Sequence, residues 1–319
     1  MKRQFGLANV KHQPQSVVTV GTFDGVHAGH QQILKRLQNR AAVRGAESTL
    51  LTFDPHPREV LRDAPMPLLT TVEERGELLE AVGIDRFVVL PFTERFSQMS
   101  PEAYVRDVLV DRIGLVEIIV GYDHSFGHKG EGDGAMLRQL GTQFGFDVEI
   151  ISKQVVDRAK VSSTRIRQLV GDTGEMAEAR RLLTRPYRLS GTVVEGEKRG
   201  RTIGFPTANL DEVPPRKILP ARGVYAAWVT EASPPSKSVI ARKHPAMVNV
   251  GYRPTFNGKE QTVEAHLLNF SGDLYGRQLE LHFLKRIRDE RSFDGPDALV
   301  AQLENDRAAC EMIFAENGS

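Results

Sequence analysis

The chain has 319 residues, of which 40% are hydrophobic and 26% are charged, and this length suits two domains with cores of their own. The formal net charge of +1 provides no overall attraction to nucleic acid or to a membrane surface. The single cysteine, Cys310, excludes an intramolecular disulfide framework. The first residues lack a signal-peptide pattern, and no apolar run approaches the roughly 20 residues that span a bilayer. We therefore expect a soluble, cytoplasmic protein.

The first half of the chain alternates between strand and helix patterns. Strands are predicted at residues 16–20, 48–53, 86–90, 117–120 and 148–151, and helices at residues 31–44, 73–82, 101–113 and 135–144. This alternation predicts an α/β domain with a parallel sheet covered by helices on both faces. Ligands of such sheets bind beyond the carboxyl ends of the strands, so the residues at those ends are the candidates for function.

The first predicted strand runs into the string GTFDGVHAGH at residues 21–30. A strand, a glycine-rich turn and a helix start bring backbone N–H groups and the positive helix end to one point, which favours phosphate. His27 and His30 are three residues apart and share a helix face, where they can donate hydrogen bonds to phosphate oxygens in a transition state. A zinc site is a weaker alternative because two histidines are too few ligands.

Three further polar segments follow predicted strands or open a helix. His56 lies in DPHP and Asp123 in GYDHSFG. A rigid loop with an exposed histidine and a turn-forming acid are the alternatives, and the rigid loop is the simpler explanation of His56 taken alone. Ser163, Thr164 and Arg165 lie in SSTRIR at the start of a predicted helix. A basic residue there opposes the helix dipole, and triphosphate binding would account for it. An ordinary capped surface helix is the alternative.

The second half changes character after residue 184. Short strands are predicted at residues 188–194, 223–230, 246–250, 262–268 and 279–284, separated by turns rich in glycine and proline. This pattern indicates a small antiparallel β-barrel or sandwich. A C-terminal helix is predicted at residues 296–315, with Leu299, Leu303, Ala308, Met312 and Ile313 available for packing. The predicted domains are residues 1–184 and 185–319, and residues 231–244 are interpreted as a long hairpin insertion.

Two segments of the second half carry oxygen-rich side chains in a regular pattern. Thr207 and Asn209 are two residues apart in extended chain and face the same side, as hard oxygen ligands of Mg²⁺ would. Glu264 lies on the strand VEAHLLNF, where a rigid carboxylate can accept a hydroxyl proton. Polar residues on a wet barrel face are the alternative interpretation of all three. The basic loop GEKRGRTIG at residues 196–204 can wrap phosphates, although a hairpin turn explains it as well.

In order, the four motifs of the first half resemble the adenylyltransferase module of the bacterial bifunctional riboflavin kinase/FAD synthetase family. GTFDGVHAGH also carries the His-x-Gly-His ending of the wider nucleotidylyltransferase superfamily. The resemblance implies that His27 and His30 stabilise the transferring group, and that the residues binding ATP are Gly21, Phe23, Asp24, His27, His30, His56, Asp123, Ser163, Thr164 and Arg165. His124 departs from the family pattern, because a more apolar residue is expected at that position.

The motifs GRTIGFPTANL, PARGVYAAW, NVGYRPTF and VEAHLLNF resemble the riboflavin kinase module of the same family. The resemblance implies phosphoryl transfer from Mg²⁺–ATP to the ribityl 5′-hydroxyl, with Glu264 as general base and with Thr207 and Asn209 holding Mg²⁺ and phosphate. The residues implied to bind ATP or flavin are Gly200, Arg201, Thr202, Gly204, Pro206, Thr207, Asn209 and Arg291.

The expected fold is thus a nucleotidylyltransferase-type α/β domain with a parallel sheet, followed by a small antiparallel β-barrel with a C-terminal helix. The expected function is conversion of riboflavin to FMN by the second domain, and of FMN to FAD with release of pyrophosphate by the first. The alternatives are that one half is inactive, that the chain is a flavin- or nucleotide-binding regulator without turnover, or that it binds nucleic acid. We expect small-molecule partners only, with no nucleic acid or membrane, and a monomer or weak homo-oligomer.

Overall fold

The computed structural model describes residues 1–152, 161–197, 199–232, 243–255 and 258–317. The chain divides by its internal contacts into two compact units, Met1–Ser163 and Thr164–Ser319. The predicted domain boundary between residues 184 and 185 stays a prediction. Within the described residues, no helix is both long enough and apolar enough to cross a membrane.

The first unit contains a six-stranded sheet in the order β1-β4-β3-β2-β5-β6. Each neighbouring pair of strands is parallel, which confirms the predicted sheet type. The short edge strand β1 was not predicted, because its residues KRQF carry no apolar alternation. The strands are β1 (Lys2–Phe5), β2 (Ser16–Val20), β3 (Glu47–Phe53), β4 (Arg86–Leu90), β5 (Leu115–Gly121) and β6 (Asp147–Ile151).

Helices cover the sheet on both faces, as the alternating pattern predicts. The fifth helix begins at Pro101–Ala103 and continues in wider turns over Tyr104–Ile113. The helices are α1 (Ala28–Arg44), α2 (Pro57–Arg62), α3 (Val72–Val82), α4 (Glu94–Ser97), α5 (Pro101–Ala103 with its continuation) and α6 (Gly134–Phe144). The predicted start of α1 at Gln31 is wrong. The helix begins at Ala28 because the His27 side chain caps it by accepting the His30 backbone N–H.

The alternating side chains of the strands divide the core of this unit into two layers. Val17, Leu50 and Phe87 pack on one face with Leu34 and Leu37 of α1. On the other face, the next residue of each strand packs with α5 and α6. The strand residues are Val18, Leu51 and Val88, and the helix residues include Val105, Val108 and Leu137. Because both faces are buried, the central strands are almost wholly apolar. The sheet therefore exposes its functional surface at the strand ends.

The second unit opens with helical segments and closes into a barrel of antiparallel strands in the order β10-β11-β8-β7-β12-β9. The sequence predicted either a barrel or a sandwich, and the structure shows a closed barrel. The strands are β7 (Tyr187–Val194), β8 (Ala208–Asp211), β9 (Gly223–Glu231), β10 (His244–Thr255), β11 (Gly258–Leu267) and β12 (Gln278–Arg288). The helices are α7 (Ser163–Arg167, continued in wider turns over Gln168–Thr173), α8 (Met176–Leu183), α9 (Arg199–Thr202) and α10 (Pro296–Asn317).

Helix α10 packs on the outside of the barrel. The rings of Trp228 and Phe314 lie 4.5 Å apart between centroids, and Cys310 is fully buried in the same cluster. Ile313 is buried as predicted, but the predicted packing of Met312 is wrong because 64% of its surface is exposed. Strand β8 was not predicted, and residues 233–242 of the predicted insertion lie outside the described residues.

Two glycines that end helices provide a matched test of the packing around the sheet. Gly114 and Gly145 both have positive φ, +85° and +79°. A Cβ at Gly114 would overlap the carbonyl oxygen of Gln13, whereas a Cβ at Gly145 would meet nothing within 4 Å. We expect Gly145→Ala to lower the free energy of unfolding by about 1 kcal/mol from backbone strain alone. We expect Gly114→Ala to lower it by a further 1–3 kcal/mol or so from overpacking. Urea denaturation of both variants measures this, and equal losses would contradict the overlap.

Candidate active sites

The loop after β2 has an unusual backbone. Phe23 and Val26 both have positive φ, 47° and 39°, in a region that side chains with a Cβ rarely adopt. Both side chains are nearly inaccessible to solvent and belong to the core cluster under α1. Such backbone geometry costs about 1–3 kcal/mol per residue and persists only where the surrounding packing enforces it. The loop between β2 and α1 is therefore held in one shape before any ligand binds.

Asp24 anchors this loop to the segment before α3. Its fully buried carboxylate accepts the backbone N–H groups of Leu69 at 3.0 Å and Thr70 at 2.9 Å, and the Thr70 hydroxyl at 3.0 Å. The Thr70 hydroxyl oxygen also accepts the Gly25 N–H at 3.0 Å. These contacts give the Asp24 carboxylate a role in shaping the loop, and its contact with ATP stays a prediction.

The two histidines of the loop form a stacked pair. Their ring centroids are 3.6 Å apart with an interplanar angle of 14°, and the Phe23 ring lies 4.7 Å from that of His30. Nδ1 of His27 accepts the His30 backbone N–H at 3.3 Å. Because that nitrogen is an acceptor, a neutral His27 carries its proton on Nε2. The pair thus combines a fixed orientation with a ring N–H at the amino end of α1.

The sheet order reverses at β2, since β3 and β4 lie on one side of it and β5 on the other. In an open parallel sheet, the carboxyl ends of the strands flanking such a reversal form a crevice. A cavity of about 280 Å³ lies there, lined by Val20, Gly21 and Thr22 after β2 and by His124 to Gly127 after β5. Aromatic side chains form much of its remaining wall, among them Phe53, Phe92, Phe96 and Phe126. The cavity suits a flat aromatic ring.

The other predicted residues of this unit, His56, Asp123 and Ser163, do not line that cavity and have different contacts. His56 is buried and caps α2, its Nδ1 accepting the Arg58 N–H at 3.1 Å, while Pro57 and Leu61 of α2 line the cavity. The Ser163 hydroxyl donates to the Asp24 carbonyl oxygen at 2.9 Å. Asp123 is exposed on the turn after β5.

Thr164 and Arg165 belong to the second unit, where Arg165 pairs with Glu178 at 3.1 Å.

His124 is neutral at ordinary pH. Burial lowers its pKa from 6.5 to about 4, while the neighbouring Asp123 charge opposes that shift. The imidazole stacks on Phe126 at 5.8 Å with an interplanar angle of 20°. His124 is therefore an uncharged aromatic residue of the cavity wall. This explains why a histidine can occupy a position where the family pattern predicts an apolar side chain.

In the barrel, strand register places three polar residues in one row. Glu264 on β11 pairs directly with Asn209 on β8 and with Asn249 on β10. Directly opposed residues on antiparallel strands project to the same face with Cβ atoms about 5 Å apart. The Thr207 hydroxyl lies 3.5 Å from a Glu264 carboxylate oxygen. The structure thus brings together Thr207, Asn209 and Glu264, as the sequence predicted, and adds Asn249, which the sequence analysis missed.

Strand β11 separates two cavities of the barrel unit. The Glu264 cavity, of about 320 Å³, is lined by Glu264 and His266, whereas the Asp273 cavity, of about 370 Å³, is lined by Ala265 and Leu267. This division confirms the predicted alternation of side chains along the strand. Thr207 lines both cavities. A group bound in one cavity can therefore reach a group bound in the other beside Thr207.

The two cavities differ in chemistry. The Asp273 cavity includes Arg201 of the glycine-rich loop and the exposed ring of Tyr275. The Glu264 cavity includes the predicted residue Arg291, together with Arg288 and Phe293. Both guanidinium groups face the Phe293 ring, at 5.7 Å for Arg288 and 5.0 Å for Arg291.

Glycines allow the loop before β8 to approach the row of polar residues. A Cβ at Gly196 would overlap the Asn209 amide, and one at Gly200 would overlap the Phe205 carbonyl oxygen. His266 Nδ1 lies 2.8 Å from the Pro206 carbonyl oxygen, and burial lowers the pKa of its imidazole. A neutral His266 therefore donates to Pro206 and helps to fix the PTAN segment. Gly204, with φ +85°, makes the turn before Phe205.

Within the described ranges, no group of three or more His, Cys, Asp or Glu side chains is arranged to hold a metal ion. The predicted Mg²⁺ ligands, a hydroxyl and an amide, are of other residue types. Mg²⁺ at phosphate-transfer sites usually retains waters and takes few protein ligands beside substrate phosphates. The donor set of Thr207 and Asn209 fits that pattern.

Family models match both halves of the chain. Residues 9–165 match the model described as FAD synthetase, and residues 183–314 match the model described as riboflavin kinase. A nucleotidyltransferase-like parallel sheet followed by a riboflavin kinase barrel defines a class of two-domain flavin-cofactor enzymes.

Full-length relatives carry the same pair of domains. A bifunctional riboflavin kinase/FMN adenylyltransferase of Listeria monocytogenes is 38% identical over 94% of this chain and 93% of the relative. The corresponding protein of Escherichia coli strain K12 is 36% identical over 98% of each chain. The chain belongs to the bifunctional riboflavin kinase/FMN adenylyltransferase family.

A solved structure shares the architecture over almost the whole length. The crystal structure described as a macrolide-efflux protein from Streptococcus pneumoniae superposes with a TM-score of 0.84 and 30% identity, over 98% of this chain and 99% of that chain. The efflux description refers to that protein. The likeness shows that both folds occur together in one chain of the same length.

The lowered pKa of His124 predicts a pH-dependent stability. The unfolded chain protonates this imidazole near pH 6.5 and the folded chain near pH 4, so the free energy of unfolding falls as the pH drops through that interval. We expect His124→Phe to remove part of this fall, because its ring stacks without taking up a proton. Burial also lowers the pKa of His282 to about 4, and this residue contributes the same pH dependence to the wild type and to His124→Phe. Urea denaturation at about pH 7 and about pH 5 measures the difference. Identical pH dependence in the two proteins would contradict the buried, neutral state of His124.

Proposed function

We propose that Glu264 is the general base of riboflavin phosphorylation and that the row of Asn209, Glu264 and Asn249 is the catalytic centre of the barrel. The single observation that supports this is the position of Thr207, which borders both cavities and lies 3.5 Å from the Glu264 carboxylate. Phosphoryl transfer needs a donor and an acceptor that meet in line, with a base on the acceptor side. A flavin-binding regulator would need no base at that junction.

We assign riboflavin to the Glu264 cavity and ATP to the Asp273 cavity. The Glu264 cavity has apolar walls that include Phe205, Leu299 and Leu303, which suit the isoalloxazine ring. The Asp273 cavity includes Arg201 and Pro206, whereas Gly200 lines the Glu264 cavity. We assign the predicted residues Gly200, Thr202 and Gly204 to the turn of the loop that carries Arg201 to the phosphates. The ribityl 5′-hydroxyl transfers its proton to Glu264 as its oxygen bonds to the γ-phosphorus, and ADP leaves.

Thr207 and Asn209 are proposed to hold Mg²⁺ with the ATP phosphates. When bound, the ion would neutralise charge on the transferring group. The chain itself contributes the positions of the hydroxyl and the amide, which strand β8 and the close approach of Gly196 fix. The Asn209 amide packs against Gly196, and a Cβ at Gly196 would overlap it.

In the first unit we propose that FMN places its ring in the aromatic cavity and that ATP lies over the loop of Gly21 to His27. The FMN phosphate oxygen then bonds to the α-phosphorus of ATP, and pyrophosphate leaves. His27 Nε2–H and His30 stabilise the charge on the phosphate oxygens as it develops. Phe23 and Asp24 contribute by holding the loop, and His56 and Asp123 border the crevice. Ser163, Thr164 and Arg165 are proposed to contact the pyrophosphate portion of ATP.

We propose that the protein works in the cytoplasm as a monomer or weak homo-oligomer and does not bind nucleic acid. The support is the balanced charge of +1 and substrates that are small molecules. Incubation with riboflavin, ATP and Mg²⁺, followed by chromatography, tests the function as a whole. FMN formed first and FAD formed second support it, and failure to convert either riboflavin or added FMN would refute it.

Replacing the base separates the two activities. We expect Glu264→Gln to lower the rate of riboflavin phosphorylation by roughly 10²–10⁴-fold, the usual contribution of a general base, and to leave FMN adenylylation unchanged. The measurement is the initial rate of FMN formation from riboflavin and of FAD formation from FMN. The matched control is Glu280→Gln, which alters a strand glutamate that pairs with Arg188 and lines neither cavity. A full phosphorylation rate in Glu264→Gln would exclude the residue as the base.

Removing one histidine of the stacked pair is expected to impair FAD formation and to spare riboflavin phosphorylation. We expect His30→Ala to lower FAD formation from FMN by about 10²-fold or more, because a donor to the transition-state charge is lost, while riboflavin phosphorylation continues. His12→Ala is the control, since His12 is exposed and its ring contacts the Asp111 carbonyl. Coupled detection of pyrophosphate follows the reaction. FAD formation at the wild-type rate would contradict the phosphate role of the pair.

A further inference from the structure

The C-terminal helix carries a buried carboxylate that binds an arginine of the Glu264 cavity. Asp306 on α10 is only 1% exposed and accepts from Arg288 on β12, with Nε at 3.0 and 2.9 Å from its two oxygens and one terminal nitrogen at 2.8 Å. Arg288 lines the cavity. A buried ion pair with this geometry fixes the guanidinium in one orientation.

Gln302 extends this ion pair toward the mouth of the cavity. It lies four residues before Asp306 on the same face of α10, and its Nε2 donates to Asp306 Oδ1 at 2.6 Å. Its Oε1 accepts from the guanidinium of Arg291. One amide thus connects a buried carboxylate to an exposed arginine through both of its polar atoms.

Arg291 lies in a segment, residues 289–295, that has neither helix nor strand in the structure. Its backbone position is therefore set by side-chain contacts. Phe293 lies between the two guanidinium groups, 5.7 Å from Arg288 and 5.0 Å from Arg291, and all three residues line the Glu264 cavity. Because the contact is exposed, it contributes little to overall stability, and its effect is expected mainly on the position of the segment.

We propose that Gln302 and Asp306 are positioning residues of the riboflavin kinase reaction, and that they act through Arg291, Arg288 and Phe293. The assignment rests on the proposed placement of riboflavin in the Glu264 cavity. By holding the guanidinium of Arg291 on α10, Gln302 fixes the side of the cavity where a flat heterocycle with peripheral carbonyl oxygens would meet N–H donors and an aromatic face. The C-terminal helix is then part of the flavin site as well as a cover for the barrel.

The test replaces the connecting amide by an apolar side chain of similar length in the full chain. We expect Gln302→Met to raise the KM for riboflavin by about fivefold or more, which is the loss of one hydrogen bond to a charged group. The KM for ATP and the rate of FAD formation from FMN are expected to stay unchanged, and the melting temperature to stay within a few degrees of the wild type. Steady-state kinetics with each substrate varied separately gives these values.

Two companion variants separate positioning from a general structural role. Asn305→Leu makes the same kind of change at an exposed position of α10 and should leave every kinetic constant unchanged. Gln302→Glu keeps an acceptor for Arg291 but loses the donor to Asp306 and places two carboxylates in contact, so it is expected to remain impaired for riboflavin. An equal rise of both KM values, or a wild-type KM for riboflavin in both Gln302 variants, would overturn the proposal. The wild-type protein separates failure of the positioning proposal from failure of the proposed function. If the wild-type protein forms no FMN, the proposed function itself is refuted.

Discussion

The hydrogen-bonded register of three antiparallel strands is the constraint on which the barrel site depends. Glu264 has Asn209 as its direct partner on one side and Asn249 on the other. A shift of one residue in either pairing would turn these side chains to the opposite face of the sheet. The strand interior that fixes the register is apolar, with Val263, Ala265 and Leu267 all buried. The packing of the core and the position of the Glu264 carboxylate therefore depend on the same strand register.

In the α/β unit, the equivalent constraint is the reversal of strand order at β2. It brings the loops after β2 and β5 to one crevice, although about a hundred residues separate them in sequence. The buried Asp24 carboxylate and the positive φ angles of Phe23 and Val26 then hold the first of these loops in shape. Binding to a loop that is already ordered avoids part of the entropy cost of fixing the ligand's surroundings.

The sequence predicted the strands and helices that have strong periodicity, together with the candidate residues at the ends of the strands. It missed Lys2–Phe5 and Ala208–Asp211, because strands of four residues with polar positions lack a recognisable alternation. Thr207, Asn209 and Glu264 were identified from local patterns, and their proximity follows from register. Asn249, Gln302 and Asp306 were not identified, since their relation to Glu264 and Arg291 exists only after strands far apart in sequence pair and α10 packs.

The two sites differ in the acid–base groups they offer, and the substrates explain the difference. A ribityl hydroxyl must lose a proton as it attacks phosphorus, and this is the step that we propose for the Glu264 carboxylate at the junction of the two cavities. The phosphate of FMN is already largely ionised near neutral pH and has no proton that a base must remove. The groups that we propose for the second reaction are hydrogen-bond donors, the stacked imidazoles of His27 and His30 at the amino end of α1. The Asp24 carboxylate of the same loop accepts the backbone N–H groups of Leu69 and Thr70, so its contacts hold the loop in shape.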